Sequence, residues 1–359
     1  MSTKSRVGII FICFLNIYLI TYSFNLSPLF YVYRPPHHDL LLIDPHVLAC
    51  LTCPINQTQF VHYASFSGVH GHRKGKLIHK AYNDNNKDFT IFDLNGEKRA
   101  VRKFQTEEVT FNGVKVIVPV DRHRFVWEWN RGRLIDCEDV KMDRDPTESR
   151  VISLDFVNEM ADLRDLMISY NVTPMLSDGS LLGWYRECSI IPHTTDIDFV
   201  VLYEEHSEAL IEALKNSRKF VTYWMLGKYD DCFELTVYRK GIKIDIFYAY
   251  GNDDHGHSTT CVMKIWKKEK ILLKQAYLSS DNICAADFLG RLMYVNCNAR
   301  EAIETSFGKD WKQDYHSANY STYTEAVNLL RTEVWPNSIW NQVYRVVREN
   351  AQAYSLKNP

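Results

Sequence analysis

Apolar and polar positions change their spacing several times between residues 150 and 250. Apolar residues recur at helical spacing from Phe156 to Met167, and Asn171 supplies a stop signal, which predicts a helix. The elements predicted next are a strand at Thr173 to Leu176, a short helix after Ser180 that buries Trp184, a strand at Asp196 to Leu202, a helix at Ala209 to Leu214 and a strand at Val221 to Leu226. This succession predicts an α/β (α+β) fold, with a mixed sheet and flanking helices.

The predicted strand at Asp196 carries two acids separated by one residue. Because side chains alternate along a strand, Asp196 and Asp198 face one side while Ile197 and Phe199 pack on the other. Two ionised carboxylates at ~4 Å repel each other by roughly 4 kcal/mol at an effective dielectric near 20. Such a pair shares a proton or binds a cation. An isolated Asp-x-Asp more often only ends a surface strand, but here a Gly-Ser turn precedes it, and such turns can hold phosphate at a helix start.

A third acid lies in a predicted hairpin. Alternating apolar runs flank Arg239-Lys240-Gly241, and the second run places Lys243, Asp245 and Phe247 on one face. Asp245 can therefore join Asp196 and Asp198 at one site. The order Gly-Ser, then Asp-x-Asp, then a single later Asp resembles that of nucleotidyltransferase-fold enzymes, in which three carboxylates bind one or two metal ions.

A closer resemblance rests on Asp178-Gly-Ser-Leu-Leu-Gly-Trp-Tyr-Arg186, followed by Ile191-Pro192 and Asp196-Ile-Asp198. These segments resemble the fukutin/LicD family, and the chain sides with its animal branch because His193-Thr-Thr-Asp196 replaces the bacterial Trp-Asp-Asp-Asp. Further similar segments are Lys243-Ile-Asp-Ile-Phe-Tyr248, the stretch bracketed by Cys284 and Cys297, Phe307-Gly-Lys-Asp-Trp311 and Trp335-Pro-Asn-Ser-Ile-Trp340. The resemblance covers about residues 150 to 350.

The resemblance implies a metal-dependent phosphotransferase. It would move a phosphoalditol such as ribitol phosphate, a phosphosugar or phosphocholine from a CDP-activated donor to the glycan of a glycoprotein. Asp196, Asp198 and Asp245 would be the catalytic residues and the ligands of Mg2+ or Mn2+, and Asp245 could instead accept the proton of the acceptor hydroxyl. The groups expected to bind the donor phosphates are Gly179, Ser180, Arg186 and Lys243. For Arg186 and Lys243 a purely structural ion pair is an equal alternative.

Two other classes of protein stay open on the sequence. One is a lumenal glycosyltransferase that transfers sugar from a nucleotide sugar, using the same Asp-x-Asp. The other is a catalytically inactive partner of glycan-modifying enzymes, which are expected to be Golgi enzymes. Nucleic-acid binding is not expected, because 42 basic and 44 acidic residues give a formal net charge of -2.

The N-terminus predicts a membrane anchor. Lys4 and Arg6 precede an apolar run from Val7 to Phe24, which is long enough to span a bilayer. A signal anchor is favoured over a cleaved signal peptide because no small-x-small site follows. The positive residues Lys4 and Arg6 lie in the short segment before the apolar run. They place residues 1–6 in the cytosol and the part after the anchor in the lumen. We therefore expect a single-pass type II protein of the Golgi, or endoplasmic reticulum, membrane.

The lumenal part is expected to have three regions. Residues 25–60 have the proline content of a stem, residues 60–150 form a smaller N-terminal region containing β-strands, and residues 150–350 form the catalytic domain. The N-terminal region has no assigned role, and its aromatic cluster from Phe125 to Trp129 is expected in the core. Two C-terminal segments, Thr324 to Leu330 and Val343 to Arg348, are expected to be helical.

Cysteines and short motifs agree with a lumenal location. Of the 9 cysteines, Cys13 falls in the predicted anchor, and the even number remaining permits disulfides. A disulfide is favoured over a zinc site for Cys50-Leu-Thr-Cys53, because no second cysteine or histidine pair of suitable spacing accompanies it. Two His-Gly-His segments are predicted to be surface loops, and Asn56 and Asn319 are plausible glycan acceptors.

Overall fold

The structure is a computed structural model of the 359-residue chain. It describes residues 40–49, 51, 63–65, 78–82, 87–94, 96–111, 114–145, 149–252, 256–319 and 326–357. The predicted anchor and both cysteines of Cys50-Leu-Thr-Cys53 lie outside these residues. Among the helices that are described, none has the length and apolar character needed to cross a membrane.

In the described residues, a seven-stranded sheet is built from residues between 40 and 119, and its first strand and first helix fall in the segment predicted as the stem. Its strands are β1 Leu40–Leu42, β2 Tyr63–Ser65, β3 Ile78–Tyr82, β4 Phe89–Leu94, β5 Glu97–Arg102, β6 Thr106–Phe111 and β7 Val114–Pro119, in the spatial order β5-β4-β3-β2-β1-β7-β6. Two helices accompany it, α1 Pro45–Ala49 and α2 Arg122–Arg131. Phe125 and Trp129 of α2 are buried and pack on Phe92, which confirms that this aromatic cluster belongs to the core.

The second sheet has twelve strands in the described residues. They are β8 Leu134–Ile135, β9 Met175–Leu176, β10 Asp196–Leu202, β11 Val221–Lys228, β12 Asp231–Arg239, β13 Ile242–Asn252, β14 Ser258–Lys264, β15 Glu269–Gln275, β16 Ile283–Phe288, β17 Arg291–Asn296, β18 Leu329–Val334 and β19 Tyr344–Val346. The main path runs β18-β15-β14-β13-β10-β9-β17-β16-β8, while β12, β11 and β19 extend from β13. Because β10 is parallel to β13 and antiparallel to β9, the sheet is mixed, as predicted.

Helices flank this sheet, which confirms the predicted α/β class. They are α3 Val157–Ser169, α4 Asp178–Glu187, α5 Glu208–Asn216, α6 Ala299–Phe307, α7 Trp340–Val343 and α8 Ala351–Lys357. Trp184 of α4 is completely buried, and its Nε1 donates a hydrogen bond of 3.0 Å to the Asp287 carbonyl. Its predicted place in the core is therefore confirmed.

The two helices predicted near the C-terminus are wrong in the described residues. The segment ending at Leu330 enters β18, which pairs with β15, and the segment after Val343 becomes β19, which pairs with β11. Both are short apolar runs, for which periodicity alone does not separate helix from strand. An available strand edge decided the outcome, because it offers the backbone N–H and C=O groups hydrogen-bond partners.

Three disulfides between described residues brace the second sheet. Cys137–Cys188 ties the end of α4 to the segment after β8, Cys232–Cys261 joins β12 to β14, and Cys284–Cys297 closes the β16–β17 hairpin. The cysteine count permitted disulfides, and these three pairs form them.

Gly183 permits the close packing of α4 on the turn that follows it. A Cβ at this position would lie 2.7 Å from the Ser189 carbonyl oxygen and 3.1 Å from Ile191 Cγ1. The Ser189 N–H in turn donates a 3.2 Å hydrogen bond to the Gly183 carbonyl. This turn leads into the segment before β10, so its position affects where the acids of β10 lie.

We predict that Gly183→Ala destabilises the protein by about 1–3 kcal/mol, because the added methyl group overpacks a backbone contact. Urea unfolding of the variant would measure this loss. Gly251→Ala is the matched control, since a Cβ there meets nothing within 4 Å. Equal stability of Gly183→Ala and the wild type would contradict the packing argument.

Candidate active site

Strand register brings three acids together. In the parallel pair β10–β13, Asp198 lies opposite Asp245 and Asp196 lies opposite Lys243. Carboxylate oxygens of Asp196, Asp198 and Asp245 all lie within 4.8 Å of one another. On the other face of β10, Ile197 and Phe199 are buried in the core. The alternation read from the sequence therefore places the acids on one face of two adjacent strands.

The Gly-Ser turn begins α4 against this strand. A Cβ on Gly179 would lie 3.6 Å from Asp198 Oδ2, so the start of the helix lies close to the acids. Ser180 is buried, and its hydroxyl oxygen accepts a 2.9 Å hydrogen bond from the backbone N–H of Asp198. The Ser177 N–H donates a 3.1 Å bond to the Asp198 carbonyl. Ser180, predicted to contact phosphate, thus fixes the position of Asp198.

Lys243 is the cation closest to the acids in the described residues. Its Nζ lies 2.7 Å from Asp245 Oδ2 and 3.2 Å from Asp196 Oδ2. Burial alone would lower the pKa of Lys243, but attraction to Asp245 and Asp196 raises the pKa above its usual value. Lys243 is therefore charged at neutral pH and offsets part of the repulsion between the acids.

The acids around this lysine are destabilised in their ionised forms. Burial raises the pKa of Asp198 well above its usual range, and repulsion from Asp196, Asp178 and Asp245 adds to the rise. Burial likewise raises the pKa of Asp178 to about 6, with repulsion from Asp196 and Asp245 contributing to the rise. Carboxylates destabilised by each other in this way form an environment that favours a cation.

Glu234 is a buried acid of the site that the sequence analysis did not identify. Burial and then repulsion from Asp245 raise its pKa to about 8. It lies on β12, two positions before Thr236, whose hydroxyl donates a hydrogen bond to Asp245 Oδ1. Alternation along β12 could have placed Glu234 on the face of Asp245. Asp178 was also missed as an acid of the site, although it directly precedes Gly179.

Arg186 is a structural residue in this conformation. It is 2% exposed, and its Nη1 donates to the carbonyls of Trp311 and Gln313 at 3.1 and 2.9 Å. Its Nη2 lies 2.6 Å from Glu187 Oε1. Although Arg186 borders the cleft, these contacts match the structural alternative for its role.

A second group of contacts holds the segment after Trp311 against the site. His193 Nε2 lies 3.1 Å from Asp314 Oδ1, and His193 Nδ1 accepts a 3.1 Å hydrogen bond from the Ser317 N–H. The Arg144 guanidinium, which binds Asp314, holds the pKa of that carboxyl below its usual value. His193 and Ser317 thereby form one wall beside the acids.

The acids open into a cleft of about 950 Å³. Its walls include the acids Asp178, Asp196, Asp198, Glu234 and Asp245, together with Gly179, Lys243, Trp224, Phe247, Trp266, Phe307, Tyr315 and Asn328. This volume is within the range of small-molecule and cofactor sites, and mixed polar and apolar walls are typical of them.

The donor set fits a hard divalent cation. Mg2+ and Mn2+ prefer carboxylate oxygens, and three carboxylates converge here beside the ammonium group of Lys243. All three acids line the cleft; Asp196 and Asp198 are half-buried, whereas Asp245 is buried. The three residues predicted as metal ligands are therefore able to hold one ion together.

A mixed sheet that presents three carboxylates beside a Gly-Ser helix start defines a nucleotidyltransferase-type domain. The family model "LicD/FKTN/FKRP, nucleotidyltransferase domain" matches residues 171–298. This chain belongs to the LicD/FKTN/FKRP family and is a phosphotransferase of the fukutin/LicD type. The resemblance predicted from the sequence is confirmed.

Relatives in two animals extend the comparison. The uncharacterized protein W02B3.4 of Caenorhabditis elegans is 32% identical over 270 residues, which cover 74% of this chain and 69% of the relative. The human ribitol-5-phosphate transferase FKTN is 28% identical over 252 residues, covering 67% of this chain and 53% of the relative. The chain thus matches about half the length of the human protein.

We predict that Ser180→Ala lowers the free energy of unfolding by about 1–3 kcal/mol, because the buried N–H of Asp198 loses its hydrogen-bond acceptor. Chemical denaturation measures the change, and Ser280→Ala at an exposed position is the control. If Ser180 served only to contact phosphate, the variant would keep full stability and lose only ligand affinity.

Proposed function

We propose that this chain transfers a phosphoalditol, with ribitol phosphate as the first candidate, or else a phosphosugar or phosphocholine group, from a CDP-activated donor to the glycan of a glycoprotein. The observation that carries the proposal is the convergence of Asp196, Asp198 and Asp245 within 4.8 Å in an open cleft. The activity in the name of the human relative supports ribitol phosphate as the first choice.

The proposed transfer forms one bond to phosphorus and breaks another. The acceptor hydroxyl oxygen forms a bond to the phosphorus that carries the alditol, sugar or choline, and the bond from that phosphorus to the bridging oxygen breaks, so that CMP leaves. The hydroxyl proton passes to a carboxylate, for which Asp245 is the proposed acceptor. Burial raises the pKa of Asp245, in spite of Lys243, and a raised pKa favours proton uptake.

The residues around the acids have complementary roles. Asp196 and Asp198 would hold Mg2+ or Mn2+, which when bound neutralises charge on the donor diphosphate, and Asp245 would either complete this ligand set or accept the hydroxyl proton. Lys243 supplies a further positive charge at the same place, and the helix start at Gly179 favours phosphate through its backbone N–H groups. Ser180 keeps Asp198 in position, and Arg186 fixes the wall formed by the segment from Trp311 to Gln313.

We further propose a lumenal location in the Golgi or endoplasmic reticulum, with the segment from Val7 to Phe24 as a type II anchor. The three disulfides support an oxidising compartment. Glycoprotein glycans, and the enzymes that build them, would be neighbours of the chain there.

The proposal predicts that the full-length chain releases CMP from CDP-ribitol, CDP-glycerol or CDP-choline in the presence of Mn2+ and an acceptor glycoprotein, and adds phosphorus to the glycan. Asp198→Asn should reduce kcat at least about 100-fold, because several kcal/mol of charge stabilisation is lost. Mass spectrometry of the released glycans measures the product.

Asp162→Asn is the control, since Asp162 pairs with Lys219 on an exposed surface of α3 and should keep full activity. Full activity of Asp198→Asn would overturn the assignment of the acids. Transfer of sugar without phosphorus, from a UDP or GDP donor, would instead identify a glycosyltransferase.

A further inference from the structure

An exposed aromatic residue stands at the edge of the cleft. Trp266 is 67% exposed, and it lies in the turn Ile265–Lys267 that joins β14 to β15. It lines the same cleft as Asp196 and Asp198. A tryptophan ring has a large apolar area, and here, with the Lys264 ammonium 5.5 Å from the ring centroid, that area lies at a polar cleft where it can also contact a ligand.

The turn that carries Trp266 is held firmly. β14 and β15 pair along their length up to Lys264 and Glu269, and Cys261 of β14 is bonded to Cys232. Lys268 follows two residues after Trp266. Its ammonium donates a 2.8 Å hydrogen bond to Asn337 Oδ1, and the backbone carbonyl of Lys268 accepts a 2.8 Å bond from the Trp335 N–H. A ring on such a braced turn can bind a ligand with little loss of backbone entropy.

The neighbouring walls combine apolar and polar groups. Met263 and Ile265 lie beside Trp266 along the cleft, and the exposed ring of Tyr315 lines the cleft as well. Asn328 and Thr260 add polar side chains to the same cleft. A sugar ring has an apolar C–H face and a rim of hydroxyls, so aromatic rings accompanied by amides and hydroxyls complement it.

We propose that Trp266 is the platform on which a sugar ring of the acceptor glycan rests; this inference builds on the proposed function. A nucleobase in a donor site is normally enclosed, whereas a glycan attached to a protein must leave the cleft toward solvent. The largely exposed ring of Trp266 at the cleft mouth therefore suits the glycan better than the nucleobase. Trp266 is thus a specificity-determining residue for the acceptor.

Saturation-transfer NMR on the full-length chain tests the platform without requiring turnover. The probes are methyl β-N-acetylglucosaminide, methyl β-galactoside, methyl α-mannoside and chitobiose, each at millimolar concentration. The wild type should transfer saturation to at least one of them, and Trp266→Ala should weaken that signal by at least about fivefold. Trp266→Phe should retain most of the signal, because an aromatic face remains.

Two further measurements separate the possible causes. Tyr277→Ala, which removes a ring 43% exposed outside the cleft lining, should leave the sugar signals unchanged. Calorimetric affinity for CDP should change less than about twofold in Trp266→Ala. If neither the wild type nor any variant binds CDP while the sugar signals still depend on Trp266, the proposed CDP donor is wrong. The proposed role of Trp266 would then stand.

Three results would overturn the platform. One is an undiminished sugar signal in Trp266→Ala. Another is a loss of CDP affinity in that variant with unchanged sugar signals, which would make the ring a nucleobase platform. The third is a wild-type protein that gives no signal with any of the four sugars.

Discussion

The parallel pairing of β10 with β13 is the constraint on which the site depends, because it holds Asp198 opposite Asp245 although the two carboxylates repel each other. Backbone hydrogen bonds along seven register pairs supply the fixed geometry. Lys243 lies two residues before Asp245 on the same face of β13. Its ammonium group offsets part of the repulsion between the carboxylates. The fold thus stabilises an arrangement of acids that isolated side chains would not adopt. A bound cation would relieve the repulsion between the carboxylates that Lys243 does not offset.

Other features of the fold serve the same geometry. Ser180 binds the backbone of Asp198, and Gly183 allows α4 to pack on the turn before β10. Arg186 is buried and anchors the segment after Trp311, which lines the cleft. The motif shared with the fukutin/LicD family therefore contains residues of two kinds: some lie beside the acids, and others fix the elements that carry them.

Local patterns predicted the central elements, since alternation and helical spacing were sufficient for α3, β10 and the hairpin that carries Asp245. They did not predict β18 and β19, because those apolar runs take their structure from distant strand edges. Glu234 and the His193–Asp314 contact also depend on which segments meet in space. The pairing of cysteines was not predictable for the same reason, since composition permits many pairings and the fold selects among them.

The central claim is that the acids of β10 and β13 bind a metal ion with a CDP-linked donor. Calorimetry of the full-length chain with CDP, UDP and GDP, each with and without Mn2+, tests it most directly. The account predicts a preference for CDP that requires Mn2+ and disappears in Asp198→Ala. A preference for UDP or GDP, or CDP binding that is unchanged by Mn2+ and by the substitution, would contradict it.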